Sequence, residues 1–126
     1  MFKKTLFTLI FMLLSYSVEA AEFINPLNFK NTIESRQKVI NYIKAKTYYD
    51  YCVADNFLCN NATLRMMEEE DLKAFKNLIG TEKKYSGMLN KIIYDYCVVD
   101  NFLCTYSTID MMLEEEIQAS KKELVW

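Results

Sequence analysis

Residues 49–76 read YDYCVADNFLCNNATLRMMEEEDLKAFK, and residues 94–121 read YDYCVVDNFLCTYSTIDMMLEEEIQASK. The two stretches lie 45 positions apart, and 17 of their 28 aligned positions are identical. All four cysteines fall inside them, as Cys52/Cys59 and Cys97/Cys104. Repetition at a fixed period of this size marks stacked copies of one supersecondary unit, none of which buries its apolar face alone. The architecture is therefore read from one copy and then doubled.

Within the first copy, apolar residues recur at helical spacing from about Thr32, with Ile40, Ile43, Tyr48, Tyr51 and Cys52 on one stripe. A second helix is expected to start between Asn60 and Thr63, where short polar side chains can accept from free first-turn N–H groups. Leu64, Met67, Leu72, Phe75 and Ile79 supply its apolar face, and Gly80 suits a left-handed stop. The second copy repeats the plan. Met88, Leu89, Ile92, Ile93, Tyr96 and Cys97 form one stripe; Ile109, Met112, Leu113, Ile117 and Leu124 form the other. Ser107 with Asp110 resembles a capping arrangement at that start. Leu113 stands where the first copy has Glu68, so the second hairpin should bury more apolar surface there. Strand patterning is weak and only two glycines occur. The expected fold is all-α: two tandem disulfide-stapled helical hairpins, four helices packed as one small domain.

Four cysteines in a short exported chain read as disulfides, with three possible pairings. On one continuous helix the seven-residue offset from Cys52 to Cys59 would hold the Cα atoms about 10 Å apart, beyond disulfide reach. Pairing within a copy therefore needs a chain reversal between the two cysteines, and the alternative is pairing between copies, such as Cys52 with Cys97. Each copy carries a complete pair, which favours Cys52–Cys59 and Cys97–Cys104.

The chain begins with Lys3 and Lys4, an uncharged apolar run from Thr5 to Leu14, and Val18-Glu19-Ala20. This is the layout of a secretory signal peptide over residues 1–20, and the run is shorter than the roughly 20 residues that span a bilayer. Residues 21–31, which hold the single proline, Pro26, read as an extended arm. Phe23, Ile24, Leu27 and Phe29 on it could pack against the domain. The helical domain then covers residues 32–126, divided into repeats at about 32–80 and 81–126. Removing Lys3, Lys4 and Glu19 with the signal leaves 13 basic and 16 acidic residues, net −3. No basic stripe exists, so nucleic acid is not an expected partner. After signal cleavage no stable membrane insertion is expected, and the location should be secreted or periplasmic.

The chain contains no histidine. That removes the usual general base, the imidazole metal ligand and the Ser-His or Cys-His nucleophile arrangements. The runs Glu68–Asp71 and Glu114–Glu116 fan around a helix and read as solvated faces, since helical carboxylate metal sites add a histidine. Asp55-Asn56 and Asp100-Asn101 lack the glycine and spacing of a calcium loop and read as turn formers. The Cys-x6-Cys spacing differs from that of active dithiols and reads as structural. No enzyme activity, metal or cofactor is expected. Asn61-Ala62-Thr63 is a glycosylation acceptor triplet, meaningful in a eukaryotic secretory pathway. The second copy has Tyr106 in place of Asn61, so the triplet is outside the repeated plan.

The most suggestive residues are Phe57-Leu58 and Phe102-Leu103, each in a tight loop. Each Phe either folds back to plug its hairpin or stands out as a rigid apolar knob, pre-organised by the disulfide for a partner. Tyr51 and Tyr96, with Tyr48, Tyr49 and Tyr94, lead into the loops and suit either a binding surface or a packing seam. In plan the chain resembles exported cysteine-stapled helical-hairpin repeat proteins, which bind other proteins. The resemblance covers the hairpin plan and carries no residue across. The expectation is an exported binding protein, an inhibitor or immunity-type factor acting on another protein. The alternatives are a self-associating structural subunit and, more weakly, a carboxylate-based metal binder or enzyme.

Overall fold

The computed structural model describes residues 21–126, so the expected signal peptide lies outside the described residues. Four helices follow the sequence periodicity: α1 (Ile33–Tyr48), α2 (Asn61–Ile79), α3 (Ser86–Ile93) and α4 (Tyr106–Ser120). Side chains set their starts. The Thr32 hydroxyl accepts from Ser35 N–H, and the Asn60 side chain accepts from Thr63 N–H. The α4 cap is Thr105, accepting from Thr108 N–H, and not the expected Ser107. Ser107 instead donates to Asp71 of α2. Helix α2 ends at Gly80 with φ −87°, so no left-handed residue is needed. Thr81 closes this end by donating both its N–H and its hydroxyl to Leu78 O.

Helices α1 and α3 do not stop cleanly at their cysteines. Each widens into a π-helical turn, Tyr49–Val53 and Tyr94–Val99, over the repeated YDYCV text. Such turns add one residue per turn and shift the register of the residues beyond them. The chain then reverses, which brings each cysteine pair to a Cα–Cα distance of 4.8 Å. The bridges are Cys52–Cys59 and Cys97–Cys104, one per hairpin. Each closes an eight-residue loop, for which the chain-entropy model gives about 2.5 kcal/mol.

The hairpins pack through their second helices. Helix α2 lies against α4, α1 against α2 and α3 against α4. Hydrogen bonds Asp71–Ser107 and Asn77–Asp110 show that α2 and α4 run parallel. These contacts join residues 36 and 33 positions apart, not 45. The second hairpin is therefore slid nine to twelve residues along α2, about 14–18 Å. The tip of the first hairpin overhangs as a result.

The core gathers Val39, Tyr42 and Ile43 from α1, Ala74, Phe75 and Leu78 from α2, Leu89, Ile92 and Ile93 from α3, and Tyr106, Ile109 and Leu113 from α4. Leu113 is buried where Glu68 is partly exposed and paired with Arg65 at 2.7 Å, as the substitution between copies implied. The stripes differ from expectation at identifiable places. On α1 the buried face is Val39, Tyr42, Ile43 and Thr47; Tyr48 lies five residues after Ile43, off that face, and is exposed, while Tyr51 and Cys52, inside the π turn that shifts the register, are half-buried. Leu78 fills the core and Ile79 is exposed, because α2 turns one face to α4 as well as one to α1. Leu124 lies beyond the end of α4 and is fully exposed.

The arm is part of the fold. Pro26–Asn28 forms a 3₁₀ turn and Pro26 is buried. Phe23 stacks on Tyr106 at 5.1 Å and meets Tyr42 edge-on at 5.4 Å. Phe29 meets Phe75 edge-on at 5.0 Å. Tyr106 donates its hydroxyl to Ile24 O at 2.8 Å and accepts from Ile24 N–H at 3.1 Å. The ring of Tyr106 thus ties arm, α1, α2 and α4 together.

Candidate binding surface at the stapled tips

Each tip is built by the same local chemistry. The Asp55 carboxylate accepts from Phe57 N–H at 3.0 Å, and the Asp100 carboxylate accepts from Phe102 N–H at 3.0 Å. An Asx turn of this kind fixes the backbone of the Phe two residues on. With the disulfide closing the loop behind it, the side chain has nowhere inward to go. Phe57 is 85% exposed and Phe102 is 65% exposed. Neither folds back as a plug. Leu58 and Leu103 beside them are also exposed, as are Val53, Val98 and Val99. Tyr51 and Tyr96, within the π turns, are half-buried, while Tyr48, Tyr49 and Tyr94 reach solvent. Each Phe-Leu pair is therefore an exposed apolar surface at its tip.

The tips differ in how they are anchored. Residues 53–62 are exposed throughout. In the second tip Cys104 is only 3% exposed, and Tyr42 donates its hydroxyl to Cys104 O at 2.6 Å. The Lys46 ammonium bridges the copies, bonding Asp50 at 2.7 Å and Phe102 O at 3.0 Å. Its counterpart Lys91 pairs with Asp95 at 2.9 Å in a far more exposed setting.

Asp71 departs from the expectation of a solvated acidic face. It is 4% exposed, and its Oδ1 accepts from Ser107 N–H at 2.7 Å and from the Ser107 hydroxyl at 2.8 Å. A carboxylate from α2 thereby caps α4, where the helix dipole favours negative charge. Burial raises its pKa above the usual aspartate value, outweighing the hydrogen bonds from Ser107 and Tyr106 that lower it; the Asp50 charge adds to the rise. Burial likewise pushes the Tyr42 and Tyr106 hydroxyls up, so both stay protonated donors. The neighbouring Glu69 and Glu70 are solvated as expected. Sequence reasoning missed Asp71 because one Asp in a four-residue acidic run carries no periodic signal of its own.

Grooves border the hairpins, a small one of about 200 Å³ between α1 and α2 and two larger ones. One of about 890 Å³ between α2 and α4 is lined by charged residues of both signs, among them Glu70, Lys73, Glu114 and Lys121. The other, about 490 Å³, lies between the arm, α1 and α2. Among the described residues, no three His, Cys, Asp or Glu side chains gather as a metal site. No family model, curated protein or solved structure matches this chain.

Proposed function

We propose that this protein is an exported binding module that attaches to another protein through its two stapled tips, as an inhibitor or immunity-type factor outside the cytoplasm. The observation that carries the reading is the outward stance of Phe57 and Phe102. Large aromatics cost free energy when left in water, roughly 25 cal/mol per Å² of apolar area, and here each is held out by an Asx turn and a disulfide. A rigid exposed aromatic loses little entropy on binding and is the residue type that dominates interface energetics. The two disulfides fit an oxidising compartment, and no helix among the described residues is long and apolar enough to cross a membrane.

The test is capture from extracellular or periplasmic extract with the oxidised protein, beside its Phe57→Ala/Phe102→Ala form. A partner so found is then purified and titrated against both. The double variant should keep its helical circular dichroism and lose at least about tenfold in affinity, 1.4 kcal/mol. Equal affinity for both forms overturns the assignment of the site to the tips.

A further inference from the structure

The groove between the arm, α1 and α2 is lined by apolar side chains and two cations. Its deep residues are Val39 and Phe75, and Phe29, Ile40 and Leu72 form its walls. Two cations, Arg36 and Lys76, stand beside it, and no acid lines it. Among the described residues neither cation has an ion pair; Arg36 donates to the Asn31 side chain. The groove is thus an apolar slot bordered by positive charge.

The chain carries the complement of this slot on its own first tip. From Val53 to Asn60 the sole charged residue is Asp55, two positions before the exposed Phe57. The second tip has the same text, but it is recessed by the slide of the hairpins and tied to Tyr42 and Lys46. We infer that a second copy of this chain inserts Phe57 into the groove, with Asp55 meeting Arg36 and Lys76.

The knob and its slot lie at opposite ends of the first hairpin. Ile40 to Cys52 alone spans twelve residues, about 18 Å of helix, so a tip cannot reach the groove of its own molecule. The contact is head-to-tail, which builds open chains unless the rotation closes a ring. One aromatic knob makes a small interface, so the association is weak and transient. This inference goes beyond the proposed function and does not rest on it. Its consequence is competition, because Phe57 engaged by a second copy is hidden from any other partner.

Sedimentation velocity on the purified oxidised protein tests this without a foreign partner. The parent's average mass should rise with concentration through the high micromolar range. Phe57→Ala, which removes the knob, and Arg36→Glu/Lys76→Glu, which reverses the slot's charge, should each weaken association at least about tenfold. Both changes fall on exposed residues, and circular dichroism checks the fold. Mixed one to one, the two variants have one intact knob and one intact slot between them, so the mixture should form a dimer and grow no further. A parent that stays monomeric, variants that still associate, or a mixture that stays monomeric overturns the inference. So does a monomer in which the charge reversal shifts the fluorescence of Trp126, the single tryptophan, because the C-terminal segment would then fill the slot.

Discussion

The loops Asp55–Cys59 and Asp100–Cys104 are identical in sequence, DNFLC, and form the same Asx turn and the same disulfide. Yet one loop is a free overhang and the other is fastened to the core. The difference arises just past the shared text. Position 61 is Asn and position 106 is Tyr. Asn61 is exposed in the first turn of α2, whereas Tyr106, at the same place in α4, is fully buried among Phe23, Tyr42 and Phe75. A repeat shares its local geometry between copies, and residues outside the shared text, Tyr106 foremost with Tyr42 beside it, make the second copy the anchored one.

The sharpest way to break this comparison is to exchange that residue. Tyr106→Asn removes a ring at van der Waals contact with three other rings and orphans Ile24 N–H and O; it should cost about 3–5 kcal/mol in urea denaturation. The reciprocal Asn61→Tyr, on an exposed site, should change stability by no more than about 0.5 kcal/mol. A similar cost for both exchanges would show that the copies are energetically equivalent and the anchoring argument is wrong.

Removing the staples gives a smaller contrast. Cys52→Ser/Cys59→Ser opens an exposed loop and should cost about the loop-entropy value of 2.5 kcal/mol. Cys97→Ser/Cys104→Ser opens an equal loop but also places a hydroxyl in the buried Cys104 site, adding about 1 kcal/mol. Denaturant midpoints of the two double variants, measured side by side, check the order.

Much of this is legible in the sequence, and the remainder has a physical pattern. Helix number, helix starts at Thr32 and Asn60, the reversal between cysteines and their pairing all come from local chemistry: caps, turn formers and the reach of a disulfide. The sequence leaves Phe57 and Phe102 open between plug and knob, because their stance depends on what the rest of the chain places nearby. Two features escape it, Asp71 as the cap of α4 and Tyr106 as the centre of the core. Both act between hairpins. The slide of nine to twelve residues that brings Asp71 to Ser107 is set by packing of whole helices and is not encoded at either residue. Aligning Asp71 with Glu116, and Asn61 with Tyr106, marks the places where the copies differ, but it does not say which partner each residue meets.

Asp71 offers the next smaller effect, and one that depends on pH. Asp71→Ala should destabilise by about 1–3 kcal/mol, leaving Ser107 and the first turn of α4 without their acceptor. The carboxyl's pKa is raised in the folded state relative to the unfolded value near 3.8. The protonated carboxyl therefore contributes stability that is fully present below the unfolded value and is lost as pH rises through the folded one. In denaturation between pH 4 and 7, the parent should gain stability relative to Asp71→Asn as pH falls across that window. A parent that instead loses stability relative to Asp71→Asn on acidification would mean that the α4 dipole and hydrogen bonds outweigh burial.

The smallest expected loss at the anchored tip is the most local to the comparison. Tyr42→Phe deletes only the hydroxyl that donates to Cys104 O, one of the two hydrogen bonds from α1 to backbone carbonyls that fasten the second tip. The ring keeps its edge contacts with Phe23 and Tyr106, so global stability should fall by about 1 kcal/mol. The informative reading is where the loss appears. Amide exchange should quicken around residues 101–106 and stay unchanged at residues 54–60, which Tyr42 does not touch. The exposed first tip then serves as the internal reference. If the hydroxyl is what holds the second tip down, the variant's two tips should exchange more alike than the parent's. If exchange at the second tip does not change, the Lys46 bond to Phe102 O and the burial of Tyr106 hold it without the Tyr42 hydroxyl.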